Sequence, residues 1–234
     1  MTASGQVAKG KGRDEQPESA HYPIPAIHSL GLVEYQPTWD LMKRFTSERT
    51  AHTRDEIWMV QHPPVYTQGQ AGKPEHLLHS TNIPVVKIDR GGQITYHGPG
   101  QIVAYLLLDM RRWKINVRQL VRLMEQAVID LLAEFGVVAT GSEDAPGVYV
   151  KGAKISALGL KIRNGCCYHG LSFNVDMDLA PFANINPCGH AGLRVTQACE
   201  QGITVSINEL QAHLAQNLVH GLQRHYLQKS RMSS

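Results

Sequence analysis

Cys188 stands in the segment Asn184-Ile185-Asn186-Pro187-Cys188-Gly189-His190, where a proline and a glycine flank the thiol and disfavour a regular element. A loop thiol is a candidate nucleophile. Its ordinary pKa of about 8.5 leaves only a few per cent as thiolate at pH 7, so covalent chemistry there requires a neighbouring cation or base. Lys154, Lys161, His97, His169 and His190 are residue types that could serve, and their spacing does not choose among them. The bland alternative is a small apolar bystander, a common fate of cysteine.

A second concentration of chemistry runs Arg90-Gly91-Gly92-Gln93-Ile94-Thr95-Tyr96-His97-Gly98-Pro99-Gly100. Glycines let a backbone approach a ligand and expose amide donors, while Arg90, Thr95, Tyr96 and His97 add a cation, hydroxyls and an imidazole. That mixture suits an acyl or phosphate group. The alternative is a long hairpin connection with incidental polar residues, and the density of polar side chains favours function. Neither GxxxxGK[ST] nor GxGxxG occurs, so no nucleotide-phosphate signature is present. Cys166, Cys167 and His169 are zinc-ligand types, but on a strand Cys167 and His169 share a face while Cys166 faces away. No second ligand pair follows at zinc-site spacing. No metal site is expected, and these cysteines read as packing residues.

The elements that must carry these groups follow from pattern. Thr38 can cap a helix bearing Leu41, Met42 and Phe45, and Ile57 to Val60 forms a short strand. Strands at 83–88 and 101–108 bracket the glycine-rich stretch, which is too polar to be a simple core hairpin. Asn116 with Gln119 reads as a capping box before an apolar face from Leu120 to Phe135, ended by Gly136. Strands near 147–150, 153–162 and 166–175 follow, the last two joined by an Asn164-Gly165 hairpin turn. Ser206 and Glu209 read as a second capping box, opening an amphipathic helix with Leu210, Leu214, Leu218 and Leu222 on one stripe. With no βαβ alternation and no repeat, the fold class is α+β: one domain with a mainly antiparallel or mixed sheet packed by helices.

Bulk properties narrow the partners. A length of 234 residues accommodates one substantial core. Twenty-three Lys and Arg against twenty Asp and Glu give +3 with the basic residues scattered, so no nucleic-acid or membrane-surface footprint stands out. The longest apolar run, from Ile102 to Leu108, is far short of the roughly 20 residues of a membrane span. Residues 1–25 are polar and glycine-rich, without the apolar stretch of an export signal, and are expected to be a disordered tail ahead of a catalytic domain at 26–230. Four cysteines without CxxC spacing and no export signal point to the reducing cytoplasm.

The segment Arg90 to Gln101 with Tyr105, the block Gly152-Ala153-Lys154-Ile155-Ser156-Ala157-Leu158-Gly159, and the block His169-Gly170-Leu171-Ser172-Phe173-Asn174-Val175 through Asn186-Pro187-Cys188-Gly189 resemble the lipoyl(octanoyl) transferases. That family belongs with the biotin and lipoate ligases, and the resemblance runs from about Leu30 to Leu227. It implies the biotin/lipoate ligase catalytic fold and transfer of an octanoyl group from acyl carrier protein to a lysine of a lipoyl domain through a thioester on Cys188, without ATP or another cofactor. Lys154 matches the family's catalytic lysine. Arg90, Gly91, Gly92, Gln93, Ile94, Thr95, Tyr96, His97, Ala157, Leu158, Gly159, Gly170, Leu171 and Ser172 match its substrate-binding stretches, whose backbone amides could stabilise an oxyanion. The implied acceptors are lipoyl domains of 2-oxoacid dehydrogenase E2 subunits and the glycine cleavage H protein. The competing readings are an ATP-dependent lipoate or biotin ligase of the same fold and a non-catalytic module that binds acyl carrier protein or lipoyl domains.

Overall fold

Strand Gln101–Asp109 is buried along its whole length, which demands cover on both faces of whatever sheet contains it. The computed structural model describes residues 23–187 and 192–232 and supplies that cover with three helices. Most of the expected tail lies outside the described residues, as do Cys188 and His190.

The main sheet has seven strands in the order β1 (Ala26–Leu32), β2 (Glu56–Gln61), β6 (Gln101–Asp109), β10 (Cys166–Asn174), β9 (Ala153–Arg163), β8 (Gly147–Val150) and β7 (Thr140–Gly141). The β1/β2 pair is parallel and every other pair is antiparallel, so the sheet is mixed. A second sheet has the order β4 (Val85–Lys87), β3 (Val65–Gln68), β5 (Ile94–His97). Alternation along β6 sends Ile102, Ala104, Leu106 and Leu108 into the main core with helices α2 (Val117–Glu134) and α3 (Ile207–Arg231). It sends Val103, Tyr105 and Leu107 into a second core that also holds Met42 of helix α1 (Tyr35–Glu48). The α+β expectation holds.

Both halves of the Asn116/Gln119 capping box are formed, and Asn164 and Gly165 take the positive φ of the expected turn, +51° and +75°. At Ser206 only half a box is present, its hydroxyl accepting from the Glu209 amide. Thr38 is not a cap. Helix α1 begins at Tyr35 and the Thr38 hydroxyl donates back to the Glu34 carbonyl at 2.7 Å. The glycine-rich stretch is also not one loop: residues 94–97 form β5, buried throughout and paired with β3, which leaves 90–93 irregular.

One further correction concerns His169. Strand parity puts it with Cys167 and Leu171, which lie in the main core. Instead its ring lies against Tyr105 and Tyr168, residues of the second core. The cause is backbone: His169 has φ +63°, an uncommon conformation for a non-glycine residue inside a strand, and the alternation breaks there.

Candidate functional site

A cavity of about 430 Å³ opens where the 90–93 segment meets β5, β9 and β10. Every residue assigned to substrate binding lines it except Tyr96. That side chain points the other way, packing on Tyr66 and edge-on to Phe182. Strand β8 covers β9 only as far as Ala157, so the β9 edge beyond is open to the 90–93 segment. The Gly91 amide donates to the Leu160 carbonyl at 2.9 Å and docks the segment there. This amide is therefore committed to the fold rather than offered to an oxyanion. The Arg90 guanidinium donates to the Thr67 carbonyl at 2.7 Å, the Thr67 hydroxyl at 3.0 Å and the Gly91 carbonyl at 2.9 Å. Its stem crosses Gly159 so closely that a Cβ there would lie 2.9 Å from Arg90 Cδ.

Lys154 reaches the same wall through a bulge. Tyr149 pairs with Lys154 while Val148 pairs with Ser156, which leaves Ile155 as an extra residue in β9. Ile155 points into the main core and Leu158, Leu160 and Ile162 pack against it after the bulge. Lys154 and the cavity residues Ala157 and Gly159 consequently share the opposite face, which unbroken alternation would have denied them. Lys154 is 3% exposed. Its Nζ donates to the carbonyl of Pro146, a cavity-lining residue, at 3.2 Å and lies 5.2 Å from the Tyr149 ring centre. Gly147 makes room for it, because a Cβ there would stand 2.8 Å from Lys154 Cε.

The chain on either side of residues 188–191 is anchored. Before them, the Asn186 amide donates to the His76 carbonyl at 2.9 Å. After them, Lys154 pairs through its backbone with Arg194 and Thr196, at 2.8 and 3.0 Å. Lys161, another candidate partner, is seven residues along β9 from Lys154, roughly 23 Å at strand rise. His169 is held by Asp89, Nε2 to Oδ1 at 3.0 Å.

Burial decides the protonation states. It lowers His97 to about 3, helped by the nearby His62 and Arg90, although the hydrogen bond to Gln101 opposes. Burial likewise takes His62 to about 4. Both imidazoles are neutral at pH 7. His62 Nδ1 donates to the Val33 carbonyl, so its Nε2 accepts from the Tyr105 hydroxyl at 2.7 Å. Burial works against the Asp89 carboxylate, yet hydrogen bonds from His169, Tyr168 and Trp39 and the His169 charge hold it well below the usual carboxylate range.

Unfolded histidine titrates near 6.5 and the folded His97 and His62 well below it, so between these values the unfolded chain binds more protons. The protein should therefore lose stability as pH falls from about 6.5 toward 4, by up to roughly 1 kcal/mol per histidine per pH unit. Thermal melts across that range check this. Replacing His62 by Phe should flatten the slope, and an unchanged slope would contradict the assignment.

The three described thiols are poor nucleophiles. Burial pushes Cys167 up to about 12, and it also raises Cys166 and Cys199. Cys167 lies in the main core, a packing residue as expected. Among the described residues, no group of three His, Cys, Asp or Glu could hold a metal, and no helix is long and apolar enough to cross a membrane.

Several cavity residues escaped the sequence reading. Tyr35 carried no motif, nor did His62 and Asp89, which hydrogen-bond the lining residues Tyr105 and His169, while Val117, Val121 and Pro146 arrive from α2 and the β7/β8 connection only in three dimensions. The dipeptide Pro63-Pro64 after His62 was the one local sign of a special position.

Comparison with known proteins places these observations. The profile of the lipoyl protein ligase A/B catalytic domain matches residues 34–219. A protein of Nitrosospira multiformis named octanoyltransferase is 67% identical over 192 residues, covering 82% of this chain and 89% of that protein. One of Nitrosomonas eutropha with the same name is 60% identical over 209 residues, covering 89% and 93%. Among solved structures, a lipoate-protein ligase A bound with ATP superposes with a TM-score of 0.70 at 16% identity, covering 86% of each chain. A bipartite lipoate protein ligase of Thermoplasma acidophilum, described with its E2 lipoyl domain, gives 0.70 at 16% identity over 86% and 85%. These two likenesses show the shared fold.

Proposed function

The chain belongs to the lipoyl protein ligase A/B catalytic-domain family and is an acyltransferase that moves octanoyl groups in lipoate biosynthesis, and we propose that it does so in two steps carried by Cys188 and Lys154. In the first step the Cys188 thiolate attacks the carbonyl carbon of an octanoyl thioester on acyl carrier protein. A new C–S bond forms, the old one breaks, and the leaving thiolate takes up a proton. In the second step the amine of a lipoyl-domain lysine attacks the enzyme thioester, an amide forms, the amine loses a proton, and the Cys188 thiolate departs. Thioester exchange between thiols is nearly isoenergetic, so no adenylate is required.

Lys154 serves both steps. As an ammonium it stabilises the thiolate, and as an amine it takes the proton from the attacking lysine. The observation that carries this reading is the burial of Lys154 against Pro146, in the wall of the cavity that the matched substrate-binding residues line. Ile94, Leu158, Leu160, Val117 and Val121 offer the octanoyl chain an apolar path around the open edge of β9. Each methylene buried there contributes about 0.8 kcal/mol. The catalytic domain is taken as residues 26–230. The acceptors are lipoyl domains of 2-oxoacid dehydrogenase E2 subunits and the glycine cleavage H protein, and the compartment is the cytoplasm.

The test is mass spectrometry of the enzyme mixed with octanoyl acyl carrier protein in the absence of ATP. An octanoyl mass on the Cys188 peptide, removed by hydroxylamine, is the expected result. AMP release dependent on free octanoate would instead indicate an ATP-dependent ligase, and carrier binding without any turnover a binding module.

A further inference from the structure

Gln101 and Asn174 are respectively 0% and 4% exposed, and neither has a part in the two steps above. Buried primary amides are costly unless their donors and acceptors are matched, so their partners are informative. Gln101 Nε2 donates to Asn174 Oδ1 at 2.9 Å, and Asn174 Nδ2 donates to the Thr196 carbonyl at 3.0 Å. On the other side, His97 Nδ1 lies 2.7 Å from Gln101 Oε1. An amide oxygen accepts only, so Nδ1 carries the hydrogen. His97 Nε2 is then an acceptor and receives the Thr67 hydroxyl at 3.3 Å, while that hydroxyl oxygen accepts from Arg90 at 3.0 Å.

Every donor in this chain points the same way: Arg90, Thr67, His97, Gln101, Asn174, then the Thr196 carbonyl. The far end is the backbone that pairs with Lys154. The Thr196 amide donates to the Lys154 carbonyl at 3.0 Å, and the Lys154 amide donates to Arg194 at 2.8 Å. The Ala198 amide donates to the Asn174 carbonyl at 3.0 Å, so Asn174 holds this segment through both backbone and side chain. Segment 194–198 begins six residues after Cys188.

We propose that Gln101 and Asn174 are positioning residues for octanoyl transfer, a buried one-directional amide relay that fixes the Lys154 backbone and the segment following Cys188 relative to the glycine-rich substrate segment. The inference rests on the roles assigned above to Lys154 and Cys188. A one-directional network has one fully satisfied arrangement, whereas reversing the His97 ring or either amide sets donor against donor or acceptor against acceptor, so the two segments are locked in one relative position. Misplacement of reacting groups by about 1 Å can cost on the order of 100-fold in rate.

The test compares Asn174→Leu, which removes the link to Thr196, with Gln101→Met, which removes the link to His97 and spares the Thr196 contact. Steady-state transfer to a lipoyl domain is measured for each, with circular dichroism and a thermal melt. Both variants are expected to lose about 10- to 100-fold in kcat. KM for the octanoyl carrier should stay within a few-fold, the pH profile of kcat should shift, and the deficit should persist well below the melting temperature. A folded variant of either kind with near-normal kcat, or with a loss confined to KM, would overturn the proposal. Should Asn174→Leu fail to fold, Gln101→Met decides alone. Turnover does not depend on trapping an intermediate, so wild-type enzyme that transfers without a trapped Cys188 adduct, by direct transfer or through a short-lived thioester, still leaves the relay to be judged by kcat.

Discussion

Lys154→Met is expected to lower octanoyl transfer by two to four orders of magnitude while leaving the fold in place, the range associated with losing a positioned acid–base group. Methionine keeps an unbranched stem between Gly147 and Tyr149, where a shorter side chain would leave a void. It removes the ammonium that donates to Pro146, and a carbonyl that loses one partner costs far less than the chemistry. Because one residue is assigned to both steps, single-turnover acylation by the octanoyl carrier and deacylation by the lipoyl domain should both slow. Loss of only one step would divide the assignment between two groups. Transfer within tenfold of wild type would remove Lys154 from the chemistry.

Much of this site was legible because its signals are local. Glycine density with Arg90 and His97 identifies itself by residue type, the family resemblance supplies the blocks around Ala157 and Gly170, and the cavity gathers them with the sole exception of Tyr96. Tyr96 was swept in because a loop has no sides, whereas residues 94–97 are a strand, and neighbours on a strand face opposite ways. What escaped depends on broken periodicity. The extra Ile155 that turns Lys154 toward the cavity face has no marker in an apolar strand, and nothing in Cys167-Tyr168-His169-Gly170 announces a left-handed histidine. Strands β1 and β7 were missed for a plainer reason: they are mostly exposed edges, so burial imposes no alternation on them. The Gln101–Asn174 relay joins residues 73 apart in sequence, and amides carry no spacing rule by which such a contact could be foreseen.

Gly170→Ala is expected to destabilise the folded protein by about 3 kcal/mol or more. Glycine is required here by space rather than by backbone angle. An added Cβ would stand 2.1 Å from the Ala104 carbonyl oxygen and 2.9 Å from Leu106 Cδ1. A rotamer change can relieve the second contact but not the first, since the obstacle is the backbone of β6, the strand buried along its whole length. Relief requires β6 and β10 to separate where Gly170 faces Tyr105, at the floor of the cavity, so the His62–Tyr105 hydrogen bond would be disturbed as well. Overpacking alone costs about 1–3 kcal/mol, and a clash against backbone belongs at or beyond the upper end. That is a large share of a typical stability of roughly 5–15 kcal/mol. Gly136→Ala supplies the contrast: that glycine has φ +73° and nothing within 4 Å of an added Cβ, so it should lose only about 1–2 kcal/mol from the left-handed backbone. Urea midpoints of the two variants separate the causes. If Gly170→Ala is no less stable than Gly136→Ala, β6 and β10 do not approach as closely as described, and the cavity floor must be placed elsewhere.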